Sequence, residues 1–125
     1  MSSDLETNKR IAADFYDLIF NKGDFESARK YMGRYKQHNA LVADGPEGLR
    51  VYVAYRKSIF PNARSEIKRV IAEGDYVVLH VHTRRTPKIQ RATMEIFRLE
   101  NGKIEEHWDV IQEISEDSMS PNGMF

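Results

Sequence analysis

His107 and Asp109 lie two residues apart in a stretch of alternating apolar and polar residues, and His80 and His82 repeat that spacing. On a strand, residues i and i+2 share a face about 6.5–7 Å apart. That is too far for His107 and Asp109 to bond one another, but near enough for both to hold one ligand. Glu95 is a third ionisable candidate, and Gln37-His38-Asn39 adds polar groups in an irregular segment. A carboxyl group in an apolar pocket loses hydration of its charged form and can exchange a proton with a ketone or an activated C–H near neutral pH. A neighbouring protonated acid or imidazole could stabilise the enolate oxygen that develops.

Other readings compete at the same residues. His-x-His on a strand, with a later histidine and a carboxylate, is also a zinc or iron donor set. It would require His80, His82, His107 and Glu95 to converge within about 2.0–2.2 Å of one point. Strand histidines are more often structural, and the face shared by His80 and His82 could be an outer or dimer face. Glu95 could simply support His107. Arg84, Arg85 and Arg98 read as solvated or interface charges. No Gly-rich phosphate loop, Gly-x-Ser-x-Gly elbow or Walker-type lysine is present.

The elements that position these residues are helices first, then strands. Ser3 and Glu6 can form a capping box before an apolar stripe at Ile11, Phe15, Leu18 and Ile19, which Asn21-Lys22-Gly23 stops. A short second helix starts at Asp24. The period breaks between Gly33 and Gly45, and Pro46 opens a third helix that ends at Pro61-Asn62. From Ser65 the period becomes two. Ile67 to Ala72, Tyr76 to Arg84, Ile89 to Leu99 and Lys103 to Ile114 read as strands of an antiparallel sheet. Ser115 to Phe125 is polar and expected to fray. The fold class is α+β, with one domain over residues 1–114 and a tail over 115–125.

The Asn101-Gly102 turn sets what faces His107. A two-residue type I′ loop pairs Leu99 with Ile104 and puts Glu95 opposite Trp108. A three-residue loop with a glycine bulge pairs Leu99 with Lys103 and puts Glu95 opposite His107, gathering Glu95, Phe97, His107 and Asp109 on one face. Asn-Gly favours the first, and the pattern alone does not decide.

Composition bounds the function. The chain has 125 residues, about one domain's worth. Its 19 Lys+Arg balance 19 Asp+Glu, which argues against duplex nucleic acid and against a basic membrane-surface role. Hydrophobic residues at 41% are too many for a disordered chain. No apolar run approaches the roughly 18 residues of a spanning helix, and no secretory signal is visible, so a cytoplasmic location is expected. Cysteine is absent, which removes disulfides and thiolate chemistry.

The segment from Glu95 to Gln112, with Gly102-Lys103-Ile104 followed by His107-Trp108-Asp109, resembles the C-terminal signature of SnoaL-like polyketide cyclases, in the nuclear transport factor 2-like superfamily. Tyr35-Lys36-Gln37-His38-Asn39 and Val42 to Gly48 look like a second family block. The resemblance spans roughly Leu5 to Gln112. It implies a cone: a curved antiparallel sheet wrapped against the helices around an apolar cavity. It implies chemistry without metal or organic cofactor, with Asp109 as general acid/base, His107 beside it, and His38 or Asn39 at the cavity mouth. Ketosteroid-isomerase relatives place a protonated acid where Glu95 stands, which favours the bulged register. The family commonly has aspartate there, and proline where this chain has Ala40.

The expected reaction is a cofactor-independent cyclisation or isomerisation of a small ketone-bearing molecule. Phe15, Tyr16, Tyr52, Phe97 and Trp108 are candidate walls, and His80 is a candidate ligand contact, although strand alternation turns Trp108 away from His107. A non-catalytic binding protein on the same cone is the first rival, and a protein-interaction subunit the second. A homodimer through the sheet's outer face is the expected assembly.

Overall fold

The computed structural model describes residues 4–125. The chain runs α1 (Leu5–Phe20), α2 (Phe25–Ala28), a 3₁₀ turn (Arg29–Tyr31), β1 (Met32–Gln37), α3 (Gly45–Ile59), β2 (Arg64–Glu73), β3 (Tyr76–Arg84), β4 (Gln90–Glu100) and β5 (Lys103–Glu113). The expected capping residue Ser3 lies outside the described residues. Asp4 is the N-cap of α1, accepting the Thr7 N–H at 3.3 Å. One face of α1 is buried through Ile11, Ala12, Phe15, Tyr16 and Ile19, the helical spacing that the sequence shows. At its end the Asn21 amide donates to the Ser65 carbonyl at 2.9 Å and accepts the Ser65 N–H at 2.7 Å. These two bonds tie α1 to β2.

The strands form one curved sheet in the order β1-β5-β4-β3-β2. β2 to β5 are antiparallel, as the period predicts. β1 was not expected, and it pairs parallel with β5, so the sheet is mixed. Alternation fails in β1 because Tyr35 adopts a left-handed φ of 52°. That conformation costs a bulky residue on the order of 1–3 kcal/mol, and it accompanies the register shift between Met32 and Lys36.

Val77, Leu79 and Val81 of β3, Phe97 and Leu99 of β4 and Ile104 of β5 face inward against Phe15 and Ile19 of α1 and Leu49 and Val53 of α3. Each large apolar side chain buried here contributes about 1.5–3 kcal/mol relative to exposure. The alternate strand positions form the outer face, where Tyr76, Met94 and Val110 are exposed. Residues 115–125 form no helix or strand, yet the segment does not simply fray. The Phe125 ring returns to this outer face, 4.4 Å from the His82 ring and 5.2 Å from that of His80.

The β4–β5 hairpin takes the turn of the first expected register, but farther along its pairing follows neither. Asn101 and Gly102 have φ of 51° and 77°, the paired positive values of a two-residue type I′ turn. Glu100 pairs with Lys103 and Leu99 with Ile104. An irregularity then shifts the pairing, so that Arg98 faces Glu106 and Glu95 faces Asp109, rather than Trp108 or His107. Ile104 and His107 are both buried, with Glu105 and Glu106 between them. Gly33 makes the room this needs. A Cβ there would meet Glu105 Oε2 at 1.5 Å, and that carboxylate accepts the Arg34 N–H at 3.3 Å. No helix among the described residues is long and apolar enough to cross a membrane.

Candidate functional site

Alternation on β4 and β5 turns Glu95, His107 and Asp109 to the inner face, and the loop after β1 brings Asn39 across to meet them. Glu95 Oε1 lies 2.5 Å from His107 Nε2. Gln37 Oε1 lies 2.7 Å from His107 Nδ1. The same oxygen accepts the backbone N–H groups of His38 and Asn39, each at 3.0 Å. An atom that accepts two backbone donors is an oxygen, so His107 Nδ1 must carry a hydrogen and donate it. Nε2 and Glu95 therefore hold one proton between them, as acid and imidazole or as carboxylate and imidazolium.

Asp109 is held separately. Asn39 Nδ2 donates to both of its oxygens at 3.0 Å, while Asn39 Oδ1 accepts the Leu41 N–H at 2.8 Å, which sets the orientation of the amide. His107 Nε2 and Asp109 Oδ2 are 4.0 Å apart, too far for a hydrogen bond, as their spacing on one strand requires. Tyr35 stacks on the His107 ring at 5.5 Å with the planes 8° apart. Burial above all, and then the Glu95 charge, hold the Tyr16 and Tyr35 phenols well above their usual pKa. Both stay neutral and keep their O–H hydrogens.

One ligand atom from each of Glu95, His107 and Asp109 lies within 4.8 Å of the others, a spacing at which this trio could hold a cation. The rival metal-donor set built on His80 and His82 does not assemble. Those rings lie on the outer face against Phe125, with His80 bonded to Arg69 and His82 to Gln90.

The trio opens on a narrow cavity, with about 40 Å³ of room for the centres of water-sized molecules, that continues outward to solvent. Tyr16, Phe20, Leu49, Tyr52 and Ile111 form apolar walls, and Gln37, Asn39, Thr83 and Thr93 add polar ones. Arg56, Arg85 and Arg91 line both this chamber and a wider vestibule outside it. The chamber is thus less apolar than expected, with acids along one part and guanidinium groups along another.

Of the expected ligand contacts, Asn39, Tyr16 and Tyr52 line the cavity. Phe15 and Phe97 do not. They are core residues packed on each other at 5.8 Å, and Phe97 lies beneath His107 at 5.0 Å. The His38 side chain is turned away from the chamber, stacked on Trp108 at 4.8 Å and bonded to Glu106 at 2.7 Å. His80 is on the outer face, as above. Arg98, expected as a solvated or interface charge, is instead paired with Glu106 and Glu100.

Gln37, Tyr35, Arg56, Arg85 and Arg91 were not foreseen as site residues. For Arg91 the signal was present, because counting back by twos from Glu95 reaches Thr93 and then Arg91 on the same face. For Gln37 it lay in its place just before His38-Asn39.

A family model described as SnoaL-like polyketide cyclase matches residues 10–116. No curated protein sequence matches the chain. Among solved structures, TsrD from Streptomyces laurentii is 20% identical with a TM-score of 0.74, covering 87% of this chain and 90% of its own. A proposed polyketide cyclase from Bacillus cereus is 24% identical with a TM-score of 0.71, covering 81% of this chain and 71% of its own. AclR from Streptomyces galilaeus, a proposed hydroxylase, is 20% identical with a TM-score of 0.74, covering 87% and 91%. At these identities the structures speak for the fold, and the family model speaks for descent across most of the sequence. The chain belongs to the SnoaL-like polyketide cyclase family.

Proposed function

We propose that the protein is an acid/base enzyme that closes or isomerises a small ketone-bearing molecule held in the cavity. The observation that carries this reading is the convergence of two separately held acidic units on one chamber: Asp109 gripped by Asn39, and Glu95 sharing a proton with His107.

The step balances without an electron acceptor. The Asp109 carboxylate takes a proton from the carbon beside the ketone, and the C–H electron pair becomes the enolate. The Glu95–His107 pair donates its hydrogen toward the enolate oxygen, where charge develops. In a cyclisation the enolate carbon bonds to a second carbonyl carbon, and Asp109 returns its proton to the new alkoxide. In an isomerisation the proton returns to another carbon. Tyr16 and Tyr52 supply aromatic walls for a flat substrate.

The first half of this chemistry can be tested without the natural substrate. Exchange of the methyl hydrogens of acetophenone in deuterium oxide, followed by proton NMR, reads proton abstraction directly. The wild-type protein should accelerate it, and Asp109→Asn should lose about 10²-fold or more of the acceleration with an unchanged circular dichroism spectrum. Exchange no faster than with equal free acetate, or equal in the two proteins, would overturn the catalytic reading in favour of a binding protein.

A further inference from the structure

Three arginines converge on the cavity, and two of them have no acidic partner. Arg56 on α3 is 9% exposed. Its guanidinium donates only to the Phe20 carbonyl, at 3.3 Å, and lies 5.1 Å above the Phe20 ring. Arg85 donates to the Tyr52 hydroxyl at 3.2 Å and lies 4.8 Å above the Phe60 ring, and its buried Nε has no partner. No carboxylate comes within 4.0 Å of either among the described residues. Arg91 Nε is 3.3 Å from Glu113 Oε1 but is not aligned to hydrogen-bond it. Burial above all, helped by the Arg85 and Arg91 charges, holds the Arg56 pKa below the usual arginine value, although the group stays charged. A cation taken out of water without an anion is costly, and three facing one chamber focus a positive field on it.

The nearby acids do not discharge this group. Glu95 is bonded to His107, and Asp109 to Asn39. The arginines also line the outer vestibule, together with Tyr55, Ile59 and Leu41, where Glu95, His107 and Asp109 do not reach.

We propose that Arg56, Arg85 and Arg91 form an oxyanion-binding subsite, so that the substrate carries a carboxylate or a phosphate ester at the end directed to the cavity mouth. Guanidinium forks match the paired oxygens of either group. The anion held at the mouth orients the molecule, with its ketone directed inward to Asp109 and the Glu95–His107 pair. The inference deepens the ketone-substrate reading, but it is tested by binding rather than turnover, so the two fail separately.

The probes are para-acetylbenzoate, its neutral analogue para-acetylbenzamide, and para-acetylphenyl phosphate, titrated by calorimetry. The wild-type protein should bind at least one anion about tenfold or more tighter than the amide. The stronger anion identifies the source, carboxylate or phosphate. In Arg85→Gln and in Arg91→Gln the preference should shrink to about threefold or less, two variants guarding against one that fails to fold. Asp109→Asn should keep the preference while losing exchange. Equal affinity for anions and amide, no binding of any probe, or an undiminished preference in both folded Gln variants would overturn the proposal.

Discussion

Glu95 stands directly across the β4–β5 ladder from Asp109, yet its carboxyl group reaches diagonally to His107 Nε2, 2.5 Å away. The two acids of the site are therefore neighbours on the sheet with different partners. Glu95→Gln separates the hydrogen bond from the proton. An amide N–H can still donate to Nε2, but it cannot release a proton to the substrate. The expected result is a loss of about 10²-fold or more in kcat with a melting temperature near that of the wild type. Glu95→Ala leaves His107 Nε2 buried without a partner and should cost about 1–3 kcal/mol of stability as well. Activity assays beside urea titrations distinguish these outcomes. Equal activity for Glu95→Gln and wild type would reduce the pair to a structural support.

Asn39 is a positioning residue. Its amide grips both oxygens of Asp109, and the Leu41 N–H holds the amide in place. Asn39→Asp replaces two donors by a second carboxylate against the first, and like charges at that range resist joint ionisation. Its exchange activity should fall by about tenfold or more at neutral pH and recover partly as the pH rises. Asn39→Ala should lose activity with no such displacement of the profile. Superimposable pH–rate curves for the two variants would show that Asn39 serves only packing.

The legible parts of this molecule are those where one period runs unbroken. α1 and β3 lie where the apolar spacing puts them, because no special backbone conformation intervenes. β1 was hidden, since Tyr35 at a left-handed φ interrupts alternation and nothing in its type announces that. The hairpin is more instructive. Its pairing differs from the bulged register by two residues, but a shift of two conserves which face each side chain takes, whereas a shift of one reverses it. Glu95, His107 and Asp109 were therefore gathered on the correct face, although Glu95 opposes Asp109 and not His107. For His80 the signal was in the alternation of β3, where Val77, Leu79 and Val81 make the apolar face that enters the core and so turn His80 and His82 to the other side.

Two glycines should respond differently to alanine. At Gly48 a Cβ would lie 1.8 Å from the Ala43 carbonyl oxygen, a backbone atom of the loop that carries Asn39. That backbone cannot swing aside, so Gly48→Ala should cost about 1–3 kcal/mol as an overpacked site and lower activity through displacement of Asn39. At Gly33 the added Cβ would meet only the end of the Glu105 side chain. That carboxylate can rotate outward, so Gly33→Ala should cost less and leave the exchange rate nearer wild type. Calorimetric melting with exchange assays on both variants checks the order, and the reverse order would contradict the packing described for the loop.

His38 and Glu106 predict a pH dependence outside the cavity. The hydrogen bond from His38, and then the Arg98 guanidinium, hold the Glu106 carboxyl below the usual range. A carboxyl whose folded pKa lies below its unfolded value stabilises the fold at pH above the ordinary glutamate value of about 4.3, and that contribution is lost as the pH falls through the folded value. Glu106→Gln removes the charge at every pH. Its melting temperature should lie below the wild type's at neutral pH, and the gap should close as both are acidified, because protonated Glu106 resembles glutamine. Melting curves from neutral pH down to pH about 3 read this directly. A gap that stays constant across that range would mean that Glu106 acts through its packing rather than through its charge.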